Sequence, residues 1–302
     1  MAYSLQEINA RVRRDPAGFV AECEDAYRRR IAAAADKICG HRQESPIVLL
    51  SGPSSSGKTT TAQKLERELE RRGIEAHTVS MDDYYMTLDR ETCPRTPEGE
   101  VDLESPELLD MDLMNEHFTL LSRGEEIQIP HFDFPTQTRS SDISTPMRLG
   151  KDEIAIFEGI HAFNQQITTV HPEAFKLFIS ADSRVESDGR PLILRRWSRL
   201  IRRMVRDSKF RGTEPGETLK MWENVVQGER LYILPRKDEA DLRLDSTYAY
   251  EQAVLRDLAL PMMNRVGDER VLPIIQALAQ FEPMSEDLVP ADSMLREFIG
   301  KK

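Results

Sequence analysis

The sequence predicts an α/β domain built on a mainly parallel sheet with helices on both faces. Short apolar runs at 46–51, 75–81, 153–159 and 174–180 read as buried strands. Helical stretches separate them, and strands that alternate with helices pair in parallel. With 302 residues, 39% of them hydrophobic, the chain can bury one large core, with or without a small satellite.

Ser4 and Glu7 have the spacing of a capping box, so a helical preamble starts there; Asp15-Pro16 restarts it and Gly40 ends it. This preamble, residues 1–45, leads into the main domain at 46–302. The strand PIVLLS (46–51) runs into a glycine loop and then a helix to about Arg72, closed by Gly73. After EAHTVSM (75–81), Pro94, Pro97, Gly99 and Pro106 make residues 84–110 loop-rich. A helix near 111–123 ends at Gly124. EIQIPHFDF and STPMRL predict a small β-ribbon, about 125–150, on either side of a Thr/Ser-rich turn. It is inserted between the second and third core strands. EIAIFEG (153–159) and AFKLFIS (174–180) are the next buried strands. A basic helix in a segment of about 190–213, a helix from about Glu217 to Leu234, a short strand ADLRLD and helices across about 247–302 complete the chain.

Composition excludes several classes. No run of 18 apolar residues is present, so no helix is expected to span a membrane, and the N-terminus lacks the apolar stretch of a secretory signal. Cys23, Cys39 and Cys93 are odd in number and widely spaced. They suit a cytoplasmic, reducing setting and argue against a disulfide framework or a cysteine zinc site. A net charge of −11 disfavours non-specific binding to nucleic acid or anionic membrane. Against that background, residues 195–211 carry seven Arg and one Lys against one Asp, a local net of +7. Such density calls for a polyanion.

Gly52-Pro-Ser-Ser-Ser-Gly57-Lys58-Thr59 fits G-x-x-x-x-G-K-[ST] between a strand and a helix, the context that gives this pattern meaning. Its glycines let backbone N–H groups turn inward around phosphates, and the helix N-terminus adds partial positive charge. The cradle runs from Gly52 through Ser54, Ser55, Ser56 and Gly57 to Thr60. Lys58 is suited to the β/γ oxygens and the Thr59 hydroxyl to Mg²⁺. The loop therefore predicts a nucleoside-triphosphate site of the P-loop NTPase type. Asp82 ends the next strand, where open α/β sheets bind ligands, and could take the proton of an attacking hydroxyl. Glu158 ends another apolar strand and has the position of a metal-holding acid.

Together with GPSSSGKTT, the segments SMDDYY, IPHFDFPTQTR, IFEGIHAF and RLIRRMVRDSKFRG resemble the uridine kinase / phosphoribulokinase family. The likeness holds in order and spacing from about residue 46 to 246, and SMLREFIG is similar to the close of a bacterial branch of uridine kinase-like nucleoside kinases. The resemblance implies a kinase with ATP and Mg²⁺ as cofactors, a small-molecule acceptor, a β-ribbon flap and an Arg-rich helical lid. It implies that Asp82 is the general base, that Thr59 and Glu158 are the magnesium ligands, and that Tyr85 stands beside the catalytic acid. Phe132 and Phe134 match aromatics that enclose the nucleobase, with Arg139 beyond them. Glu104 falls where relatives place an Asp that grips ribose hydroxyls. Arg199, Arg202, Arg203, Arg206 and Arg211 match a lid that closes over the triphosphate, with Arg199 and Arg203 joining Lys58 in catalysis and Arg199 and Arg211 also reaching substrate. Related kinases are often homo-oligomers.

Residue spacing supports the lid independently. Arg195, Arg199, Arg202 and Arg206 recur at helical intervals on one face, where like charges repel unless an anion lies opposite. Departures from the family pattern fall at the acceptor end. Gln137 stands where pyrimidine kinases often use a His, Phe132 where a Tyr partner is found, and Trp197-Ser198-Arg199 where the lid commonly begins Asp-x-Arg. His161, two residues after Glu158-Gly159, is a further candidate to line the site, whereas Trp197 and Trp222 read as packing groups. The leading expectation is ATP-dependent phosphorylation of a nucleoside 5′-hydroxyl, uridine or cytidine. Its rivals are a kinase of another small alcohol, a nucleotide-binding regulator, and an RNA-associated protein using residues 195–211.

Overall fold

The computed structural model describes residues 2–96 and 99–301; Pro97, one of the prolines of the expected loop-rich stretch, lies outside them. A short strand β1 (Ala2–Ser4) precedes α1 (Leu5–Arg14), where Ser4 Oγ accepts from the Glu7 amide at 3.4 Å. Asp15 caps α2 (Pro16–His41) by accepting from the Gly18 amide at 2.9 Å, with Pro16 in the first turn. The helix continues through Gly40, which was expected to stop it, because the following residues stay in right-handed conformation. Then come β2 (Ile47–Ser51), α3 (Lys58–Glu70), β3 (Ala76–Ser80), α4 (Met111–Ser122), the ribbon strands β4 (Ile127–Asp133) and β5 (Thr138–Met147), β6 (Ile154–Glu158), α5 (Gln165–Thr168) and β7 (Phe175–Ser180). A hairpin, β8 (Arg184–Ser187) and β9 (Arg190–Ile193), leads to α6 (Arg195–Phe210), α7 (Pro215–Gly228), β10 (Leu242–Asp245), α8 (Glu251–Val266), α9 (Leu272–Leu278) and α10 (Arg296–Ile299).

The main sheet has the order β10-β7-β2-β6-β3, and all its pairings are parallel. β2 and β6 are buried on both faces, which is why IVLLS and IAIFE are nearly all apolar rather than alternating. Successive residues still face opposite cores. Val48, Leu50, Ile154 and Ile156 join the core with α2, α3 and α8, while Ile47, Leu49, Ala155 and Phe157 pack with Met114 and Phe118 of α4. This arrangement sets the carboxyl ends of β2, β3 and β6 side by side, where the loops that follow them can meet.

Three local outcomes differ from the sequence reading. Residues 138–143, expected within the Thr/Ser-rich turn, belong to β5, and the turn is Phe134 to Gln137, with Gln137 at φ +56°. Residues 190–193, expected to open the lid segment, form β9, part of a small sheet in the order β1-β8-β9. The helix expected from Glu217 to Leu234 ends at Gly228 and passes into a π-helical turn, Glu229–Ile233.

Candidate active site

Between β2 and α3 the glycine loop closes tightly on its surroundings. A Cβ at Gly52 would lie 2.0 Å from the Ile179 carbonyl oxygen, so no side chain fits there. Gly57 sits at φ +87°, the left-handed region that favours glycine. Buried Ser55 Oγ and Ser56 Oγ have no hydrogen-bond partner among the described residues, and Lys58 Nζ reaches only the Pro53 carbonyl, at 3.3 Å. Orphaned donors beside a helix N-terminus and a cation make a cradle that an anion would satisfy.

Three carboxylates converge on this cradle. Asp82 lies in the turn that ends β3, Glu158 ends β6, and Glu104 comes from the long loop before α4; all line the same cleft as Lys58 and Thr59. Burial pushes Asp82 up from the ordinary aspartate range, Lys58 opposes that shift and Asp83 adds to it. Glu158 is raised to about 7, first by burial and then by the nearby Asp82 charge, against the pull of Lys58 and the Thr59 bond. Thr59 Oγ1 donates to Glu158 Oε1 at 2.8 Å. Glu104 is also raised to about 7 by burial, with Arg203 and Lys58 drawing it down. Its loop approaches α7 closely because residue 228 is glycine: a Cβ there would come within 2.4 Å of Glu104 Cβ.

The opposite wall is aromatic. Tyr85, Phe132 and Phe134 form a cluster with ring centroids 5.1 to 6.3 Å apart, and Gln137 lines the cleft next to them. Arg139 stands behind this wall. Its guanidinium donates to Asp110 at 2.8 Å and to the carbonyls of Tyr84 and Tyr85 at 2.5 and 3.0 Å. Arg139 was expected to contact substrate; in the structure its donors pin the ribbon to the turn carrying Asp82. His161 is also withdrawn from the cleft. It is buried, burial lowers it to about 4, and it packs edge-on against Tyr232 at 6.0 Å.

The arginine face divides in two. Arg203, Arg206 and Arg211 line the cleft, drawn together around buried Asp207, and Arg203 Nη1 also donates to Ser54 Oγ at 2.9 Å. Arg199 and Arg202 were expected in the same role but are engaged elsewhere. Both Nη atoms of Arg199 donate to Glu229, Nη2 at 2.7 Å, and the guanidinium lies 5.4 Å from the Trp222 ring centroid. Arg202 is fully buried and donates to Glu251 at 2.5 Å and to the Ser246 carbonyl at 3.0 Å. Each also donates to a loop carbonyl, Arg199 to Ser54 at 3.1 Å and Arg202 to Ser55 at 3.3 Å. Buried carboxylates, rather than a ligand, neutralise these two; they brace the loop from behind. Arg195 faces away and donates to the Asp182 carbonyl at 2.6 Å.

With this geometry in view, comparison with known proteins is specific. Residues 47–251 match the model of the phosphoribulokinase / uridine kinase family. The chain belongs to that family. Uridine-cytidine kinase-like 1 of Mus musculus is 28% identical over 250 residues, covering 82% of this chain and 42% of the mouse protein. The chain thus spans less than half the length of that relative. A uridine kinase of Deinococcus deserti is 26% identical over 197 residues, 65% of this chain and 85% of its own. Among solved structures, one described as a possible uridine kinase from Bacillus stearothermophilus aligns with a TM-score of 0.47 at 18% identity, over 72% of this chain and 98% of the other. By family, the protein is a kinase, a phosphotransferase with an alcohol group as acceptor.

Proposed function

We propose that this protein transfers the γ-phosphoryl group of ATP to the 5′-hydroxyl of a nucleoside, uridine or cytidine, in the cytoplasm. The observation that carries the reading is the meeting of a carboxylate, Asp82, with an unsatisfied phosphate cradle and an aromatic wall in one cleft. In the proposed reaction the loop amides and Lys58 hold the β- and γ-phosphates, while Arg203, Arg206 and Arg211 offset charge on the transferring group. Asp82 orients the acceptor hydroxyl and accepts its proton as the oxygen attacks in line. Tyr85, Phe132 and Phe134 enclose the base, Gln137 offers a donor and an acceptor to its edge, and Glu104 takes the sugar hydroxyls. Mg²⁺ fits the oxygen pair Thr59 and Glu158, 2.8 Å apart, and when bound there it would neutralise phosphate charge.

A second reading, a kinase of another small alcohol, is favoured by Glu104 and Gln137, which put a longer carboxylate and an amide at the acceptor end. ADP release from Mg·ATP, measured with uridine, cytidine, adenosine, ribulose 5-phosphate and several polyols in turn, separates the two. A strong rise with one pyrimidine nucleoside supports the first. Stimulation by a polyol alone supports the second. Flat rates with ATP still bound would replace both with a nucleotide-binding regulator.

A further inference from the structure

The C-terminal turn touches the phosphate loop in a way that no step above uses. Arg296 knots this turn by donating to the carbonyls of Glu286, Val289, Pro290 and Gly300 at 2.6 to 3.3 Å. The next side chain, Glu297, reaches the first turn of α3. Its Oε2 accepts from Thr60 Oγ1 at 2.8 Å and from the Thr60 amide at 3.3 Å, and its side chain lines the cleft with Lys58 and Thr59. Met294 closes over the loop beside it, with Sδ 2.6 Å from where a Cβ on Gly57 would stand. The same turn also grips α6: Phe298 lies 5.2 Å from the Arg202 guanidinium, and Lys209 donates to the Ile299 carbonyl at 3.1 Å.

Amides in the first turn of a helix lack intrahelical partners and carry partial positive charge, so they attract anions. On the kinase reading above, on which this inference rests, Thr60 belongs to the cradle for the nucleotide's phosphates. A carboxylate already holds both its amide and its hydroxyl. We propose that Glu297 is a built-in anion that competes with the triphosphate for the first turn of α3, so that nucleotide binding requires the C-terminal turn to release Thr60. Because that turn packs on α6 as well, its release is transmitted to the helix that carries Arg203 and Arg206.

Calorimetric binding of Mg·ATP and Mg·ADP to the full chain, without acceptor, tests this. Glu297→Ala is expected to bind both nucleotides about tenfold more tightly than wild type, the scale of a charge-assisted hydrogen bond removed from competition. Glu297→Gln keeps the size and one acceptor oxygen but not the charge, and should fall between. It also carries the test alone if the alanine variant folds poorly. Equal affinity across the series overturns the proposal. Weaker binding in the variants also overturns it and makes Glu297 a ligand of the nucleotide instead. Wild-type protein that binds nucleotide but phosphorylates no acceptor sinks the kinase reading alone, since the affinity ratio still decides this one. No binding by any of the three proteins sinks both.

Discussion

Asp82 is the residue on which the proposed chemistry depends most. Asp82→Asn keeps the shape of the cleft but cannot accept a proton, so turnover should fall about 10²-fold or more with ATP affinity largely unchanged. Near-full activity would remove Asp82 from the role of base. Glu104 makes a separate prediction from its environment. Burial raises it to about 7 from an ordinary value of 4.5, so the folded protein holds a proton that the unfolded chain has already lost. Stability from that carboxyl is complete below about pH 4.5 and is lost as pH rises through 7. Glu104→Gln should therefore stabilise the fold at pH 8 by on the order of 2 kcal/mol, read as a higher melting temperature, and leave stability unchanged at pH 4. In the same interval the acceptor KM of the wild type should fall, because only the ionised carboxylate accepts hydroxyl protons strongly. Pocket-side residues such as Asp82, Glu158 and Lys58 were legible because each sits at a strand end or in a spaced motif. Glu229, Glu251 and Glu297 were not. No motif or spacing singles them out, and only the fold shows which arginine or threonine each one meets.

Among the elements, α6 illustrates what periodicity can and cannot reveal. Of the four arginines that spacing puts on one face, Arg206 lines the cleft, Arg195 turns to the Asp182 carbonyl, and Arg199 and Arg202 are neutralised by buried carboxylates from the π-helical turn and the start of α8. Helical spacing identifies a charged stripe; it does not say whether the counter-charge is a ligand or another part of the chain. The difference is measurable. Arg202→Leu should destabilise the protein by about 3–5 kcal/mol, because it strands Glu251 in a fully buried position. Arg206→Ala should leave the melting temperature nearly unchanged and lower kcat about 10²-fold, since Asp207 keeps Arg203 and Arg211 as partners. Denaturant melts and steady-state rates on the two variants check both halves. The hairpin β8-β9 was missed although its turn is marked: Asp188 and Gly189 both have positive φ, the signature of an Asp-Gly hairpin turn. β1 carries no comparable signal. Three residues become a strand only by pairing with β8.

For the molecule as a whole, strand–helix alternation gave the parallel sheet and the apolar runs gave its buried centre, because a strand covered on both faces must be apolar throughout. The route by which the first helices serve the site was not legible. Tyr27 of α2 is completely buried, and its hydroxyl lies 2.6 Å from Thr61 Oγ1. Thr61 spends its own proton on the Gly57 carbonyl at 2.5 Å, so Tyr27 is the donor of the pair. A helix 30 residues upstream thus supports the glycine on which the phosphate cradle turns. Tyr27→Phe should cost about 1 kcal/mol of stability, and a thermal melt of the variant reads it directly.

The cation–π stack of Arg199 on Trp222 carries a practical consequence. The chain has two tryptophans, and Trp197 and Trp222 line one groove beside α6 and α7. Indole emission from this protein therefore comes from a single wall, where a guanidinium lies over one of the two rings. Because that same guanidinium holds the Ser54 carbonyl of the loop, the native chain contains an optical probe, free of any label, for events at its own phosphate cradle.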